Sequence, residues 1–134
     1  MPNDKSNNIE ELIRTIDVDP DPLHNDFTPS VLKLSELGIP AAKGVLDLLD
    51  APGFLTRKRA QRVLEGVVMR LHGWIPGQGY PDAHSGQKLT QEVLKDNGNY
   101  DPNSSSSDRR KAIEKWRHWL QKQEKDILPG KEEE

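Results

Sequence analysis

GIPAAKGVLDLLDAPGFLTRKRAQRVLEGVVMRLHG, residues 38–73, is the stretch on which the fold turns. Gly38 ends one apolar-periodic segment, and Pro40 opens the next, which carries Ala41, Ala42, Val45, Leu46, Leu48 and Leu49. Glycine just past a helix and proline at the first helical position are the natural punctuation for two helices joined directly. The second segment stops at Asp50-Ala51-Pro52-Gly53, and Thr56 is placed to cap a longer helix ending at Gly73. On that helix Ala60, Val63, Leu64, Val67, Val68 and Leu71 fill one arc of about 140°, the stripe of a core-facing helix. Joints this short force consecutive helices into neighbouring positions.

The same period extends outward. Ile9, Leu12, Ile13 and Ile16 form an i, i+3, i+4, i+7 stripe with candidate caps at Ser6, Asn7 and Asn8, and Asp19-Pro20-Asp21-Pro22 stops it. Thr28-Pro29 opens a helix with Val31, Leu32, Leu34 and Leu37. Residues 73–88, with four glycines beyond Gly73 or at it and two prolines, read as a loop. A short helix with Leu89, Val93 and Leu94 follows, stopped near Gly98. After a second loop at 99–107, a last helix from Ser107 or Asp108 to Ile127 buries Ala112, Ile113, Trp116, Trp119 and Leu120. No segment alternates with period two. The expected fold is therefore all-α, a short stack of about five to six helices in one domain over residues 1–128, with residues 129–134 a frayed acidic tail.

Composition narrows the function. The chain has 134 residues, 33% hydrophobic and 31% charged, and no cysteine, so disulfides and thiolate metal sites are excluded. No apolar run reaches the roughly 18 residues of a membrane span, and the first residues lack a signal-peptide core, so a cytoplasmic protein without membrane association is expected. Residues 1–50 hold 10 acidic and 4 basic side chains, whereas residues 51–128 hold 9 and 14. Such asymmetry favours a partner with an acidic or mixed patch over bulk attraction to nucleic acid.

Candidate chemistry is thin. His24, His72, His84 and His118 share no ligand spacing. Asp82, His84 and Ser85 are neighbours in one loop, where a triad needs members converging from fixed elements. Asp17, Asp19 and Asp21 alternate as in a calcium loop, but Pro22 and Thr28 occupy its glycine and glutamate positions. Gly77 and Gly79 have no Walker lysine after them. No catalytic residue, metal ligand or cofactor is assigned.

Two parts of the chain resemble known proteins. Gly38-Ile39-Pro40-Ala41-Ala42, Leu46 to Asp50, Thr56-Arg57, and Ala60, Val63 and Leu64 look like a HEAT repeat of the bacterial phycobilisome-lyase-like type. Tyr100-Asp101-Pro102, Arg109 to Ala112 and Trp116-Arg117-His118-Trp119 resemble a tail that closes bacterial HEAT arrays with a Trp-x-x-Trp helix. The resemblance implies that Asp50 and Arg57 bridge between turns of the repeat, and that the last helix is a cap. One complete repeat is recognisable and the 73–88 loop belongs to none, so the expectation spans a short hairpin stack and a compact bundle.

The function expected is non-enzymatic protein–protein binding, as adaptor, scaffold, or inhibitor of the immunity-protein kind. Lys58, Arg62 and Met69 are assigned to an exposed face of the long middle helix, where a methionine suggests a covered surface. Trp74 and Tyr80 are loop anchors in this reading, the alternative being that they plug an open end of the core. Nucleic-acid binding through the Arg57–Arg62 and Arg109–Lys125 surfaces is the second class. Lyase-like action on a protein-bound tetrapyrrole, implied by the resemblance, is a third. In affinity capture, Trp74→Ala/Tyr80→Ala is expected to remain helical and lose its partner; unfolding would instead make both rings core.

Overall fold

The computed structural model describes residues 4–127, so the expected acidic tail at 129–134 lies outside the described residues. Six α-helices follow in order: α1 (Asp4–Arg14), α2 (Pro29–Leu37), α3 (Ile39–Val45), α4 (Phe54–Leu71), α5 (Ala83–Asp96) and α6 (Ser106–Ile127). A 3-10 turn, Leu46–Asp50, extends α3. The protein is all-α, and among the described residues the only extended pairing is an isolated bridge between Ile75 and Gly79. No described helix is long and apolar enough to cross a membrane.

The helix ends show which local signals held. Thr28 caps α2, its Oγ1 accepting from the Val31 N–H and donating to the Ile16 carbonyl, so one side chain ends α1's connection and starts α2. Pro29 occupies the first helical position. Gly38, at φ 83°, makes the sharp joint between α2 and α3. Other expectations shift. α1 begins at Asp4, so Ser6, Asn7 and Asn8 lie inside it and not at its cap. α4 begins at Phe54 with Gly53 as its cap residue; Thr56 is inside the first turn and gives its hydroxyl to Asp17, 2.7 Å away. α5 claims residues 83–88 from the expected loop, because Asp82 accepts from the Ser85 N–H and starts the helix early.

Contacts between ends give the directions. Arg59 on α4 meets Asp17 and Asn25, and Gly66 on α4 meets Ser35 on α2, so α2 and α4 run parallel. α3 returns antiparallel to α4 across the Asp50–Gly53 turn. α1 lies on α2 and α3, with Ile9 and Ile13 against Gly44. The first four helices are thus two stacked hairpins. The last pair closes the stack with its layers exchanged. Lys43 meets Glu124 and Asp50 meets Arg109, so α6 covers α3 and its 3-10 extension antiparallel to them. α5 packs antiparallel on the remaining side of α4. In an open array the first helix of each pair stacks on the first of the next and the second on the second, as α1 does on α3 and α2 on α4. The final pair exchanges layers, α6 lying on α3 and α5 on α4. The result is a compact stack.

The core is aliphatic: Val31, Leu34, Val45, Leu49, Val63, Leu64, Val67, Val68 and Leu120 are essentially inaccessible, with Trp116 beside them. Each such side chain contributes about 1.5–3 kcal/mol on burial. Close helix approach depends on Gly66: a Cβ there would meet Ser35 Oγ at 2.5 Å and Ser35 Cβ at 2.7 Å. Gly66→Ala is therefore expected to destabilise by about 1–3 kcal/mol despite alanine's better helix propensity, and Ser35→Gly in that background should recover most of the loss. Urea denaturation of the two single variants and the double variant checks both statements.

Candidate functional site

The position of α6 is set by a polar cluster at the α3–α4 turn. Asp50 accepts from Arg109 Nε at 2.9 Å and from the Ser106 hydroxyl at 3.0 Å. Arg57 donates to the carbonyls of Ala51, Pro52 and Pro102, and the Tyr100 hydroxyl donates to the Leu49 carbonyl. The two stretches that carry the family resemblance therefore meet in space. The implied Asp50–Arg57 bridge does not form: Arg109 takes the carboxylate, and the Arg57 guanidinium turns to backbone oxygens it can fork across. The hydrogen bond from Arg109 holds the Asp50 carboxyl below the usual range. Burial pushes the Tyr100 phenol up to about 12.

Because α6 is drawn to α3 while α5 is held on α4, these two helices are not a packed pair. A groove opens between them. Its open part, about 600 Å³, is lined by Asp96 and Asn97 of the α5 end and by Glu114, Lys115, His118, Trp119 and Lys122 of α6. A separate hollow of about 240 Å³, sharing no lining residue with the groove, is bounded by Leu64 and Glu65 on α4, Leu94, Tyr100 and Trp116. Trp119 stands edge-on to Trp116, with ring centroids 5.6 Å apart, so the inner indole anchors the outer one at the groove surface. Asn97 closes the α5 end: Gly98 (φ 95°) donates to the Lys95 carbonyl and Asn99 (φ 46°) to that of Leu94, a Schellman termination. Asn97 is 3% exposed, and its side-chain Nδ2 is buried with no hydrogen-bond partner. A buried amide donor left unpaired costs about 1–3 kcal/mol, which an acceptor brought into the groove would offset.

The residues singled out from sequence do not gather into one patch. Lys58 and Met69 are eleven positions apart on α4, about 16 Å along its axis. Lys58 is half-buried over the exposed Phe54 ring. Arg62 is taken up by Asp26 at 2.5 Å and Glu65 at 2.7 Å, with its guanidinium over Phe27. Burial opposes the Asp26 charge, but Arg62 outweighs it and keeps that carboxyl below its ordinary value. Met69 and Trp74 meet through the Schellman termination of α4, the Trp74 N–H donating to the Met69 carbonyl, and Arg70 lies over the Trp74 ring at 5.1 Å. Tyr80 folds back on α5: its hydroxyl bonds Thr90 at 3.0 Å, and a Cβ on Gly86 would strike its ring at 2.4 Å.

Other candidates have structural partners. Arg59 is buried with Asp17 and the Asn25 carbonyl, so together with Arg57 and Arg62 it is engaged inside the molecule. Asp21 accepts from the Leu23 and His24 N–H groups, which lower its pKa and account for the alternating acids as a turn. Asp82 caps α5, and the His84 side chain lies outside the described residues.

The basic side chains of α6 hold one pattern that the sequence analysis did not single out. Lys111, Lys115, His118 and Lys122 follow i, i+4, i+7, i+11, a single row, and all four are exposed. Glu114 stands at the edge of this row, paired with Arg117, and Glu124 lies on another flank, paired with Lys43. That spacing is visible in the sequence; which flank the acids take is not.

Asp50 and Asp26 both have lowered folded-state pKa values, so their contribution to stability is complete above the unfolded carboxylate pKa of about 4 and is lost as pH falls through the lower folded values. The urea midpoint should drop below about pH 4, and Asp50→Asn should lower it at neutral pH while flattening that acid dependence. The chain matches no protein-family model, no curated protein and no solved structure.

Proposed function

We propose that this protein is a non-enzymatic, HEAT-like binding module that holds a partner protein in the groove between α5 and α6. The observation that carries this reading is the groove's make-up. Half-exposed Trp119, backed by the buried Trp116, gives it an apolar centre, and two lysines, a histidine and the carboxylates of Asp96 and Glu114 stand around it. An apolar centre with a polar rim is the anatomy of a protein-binding surface. A half-buried tryptophan, rigidly backed by a second ring, is the residue type most enriched among energetic anchors. The unpaired Asn97 amide adds a directional donor beside it.

The assignment differs in place, though not in kind, from the α4 face and the 73–88 loop suggested by sequence. Three α4 arginines are engaged within the fold, which also weakens the case for phosphate binding there. Trp74 and Tyr80 keep partial exposure and remain a second candidate surface.

The test is quantitative affinity capture. A partner purified on the tagged wild-type chain should bind Trp119→Ala at least about tenfold more weakly, a loss of about 1.4 kcal/mol or more. Circular dichroism should show the variant still helical. If Trp119→Ala binds normally and Trp74→Ala/Tyr80→Ala does not, the binding surface is the loop; full binding by both variants would end the protein-binding reading of these surfaces.

A further inference from the structure

We infer that the groove selects an acidic peptide segment with an apolar anchor, a conclusion that rests on the protein-binding reading above and names the chemistry of the partner. Charge carries the argument. Lys111, Lys115 and Lys122 lie in one exposed row with His118, and none has a carboxylate within ion-pair distance among the described residues. The row covers about 16 Å of α6, the reach of about five extended residues or eleven helical ones.

Most carboxylates nearby are already committed. Glu65 pairs with Arg62, Glu114 with Arg117, and Asp101 accepts from the Asn103 N–H. Asp96 and Asp108 remain at the margins, and the exposed Arg110 and Lys125 add to the cations on the same helix. The outward side of α6 is thus basic in a chain whose net charge is −3. Elsewhere the acidic N-terminal half is matched to arginines of the other half: Asp17 to Arg59, Asp26 to Arg62, Asp50 to Arg109. The lysine row is what that internal matching leaves over.

The floor argues for peptide over nucleic acid. Trp119 offers a half-exposed indole for an aliphatic or aromatic side chain, and Asp96 and Glu114 interrupt the cations at points that a peptide can meet with an uncharged residue and a continuous phosphate chain cannot. The Asn97 donor, buried at the wall, suits a carbonyl or carboxylate oxygen.

The probe is a short fluorescein-labelled peptide of glutamates with spaced leucines, set beside its glutamine-for-glutamate counterpart and a single-stranded oligonucleotide of equal length. Binding is read by anisotropy and mapped by amide and indole NMR shifts. The glutamate peptide is expected to saturate, to shift the Trp119 indole and Asn97 side-chain signals, and to bind about tenfold more tightly than the glutamine peptide. Lys115→Glu/Lys122→Glu, at exposed positions, should remove that preference with an unchanged melting temperature. Equal binding of both peptides in the groove would overturn the charge selection while leaving the groove as a protein site. Tighter, steeply salt-dependent binding of the oligonucleotide, or shifts confined to residues 73–82, would overturn it as well. No response at Trp119 to either peptide would overturn it too, and Trp119→Ala in the capture experiment then decides separately whether the groove binds a protein.

Discussion

Everything in this fold is arranged around covering α4. Ala60, Val63, Leu64, Val67 and Val68 put an unbroken aliphatic stripe on a helix that no single neighbour is wide enough to bury. α2 takes one side, α3 with its 3-10 extension a second, and α5 a third. At about 25 cal/mol for each Å² of apolar surface removed from water, leaving one side open would forfeit several kcal/mol, a large share of the 5–15 kcal/mol that a typical domain retains. α6 is then left to cover α3. The separation of α5 from α6 follows from this division of labour, and with it the groove.

Polar contacts make the arrangement specific where aliphatic packing is tolerant. Three acids from the first fifty residues each meet an arginine from the second part of the chain, and one of those arginines, Arg59, is almost wholly buried. Its partner Asp17 stays half exposed, which limits what the pair adds to stability, because a carboxylate in contact with water gains little from ion pairing. The contribution is to register. Arg59 also binds the Asn25 carbonyl through two nitrogens, so α4 can sit in only one place relative to the α1–α2 connection. The Asp50–Arg109 pair does the same for α6.

Two glycines illustrate how sequence and packing part company. Gly86 belongs to a stretch whose glycines and prolines suggest a breaker, yet it lies in α5, where the absence of a side chain lets the Tyr80 ring and the His72 carbonyl approach. Gly66 has the same function against Ser35 in the middle of α4. A glycine needed for its missing Cβ and one needed for its backbone freedom look identical in a sequence, and only the neighbour across the gap separates them. Gly38 and Gly98, both at positive φ at helix ends, were legible as punctuation.

Local chemistry alone determined the helical class, the existence of six apolar-periodic segments, the caps at Thr28 and the terminators at Gly38, Gly73 and Gly98, and the apolar side of α6, because each depends on residues within one or two turns of one another. The partners of the charged residues were decided by the tertiary structure. Arg62 was indistinguishable from Lys115 as a surface cation until Asp26, 36 positions away in the chain, was placed against it. The groove was decided there too, since it is the space between two helices that each pack on a different neighbour, and that choice of neighbours has no local signature. Charge could be counted along the chain, but how much of it stays outside depends on which halves meet.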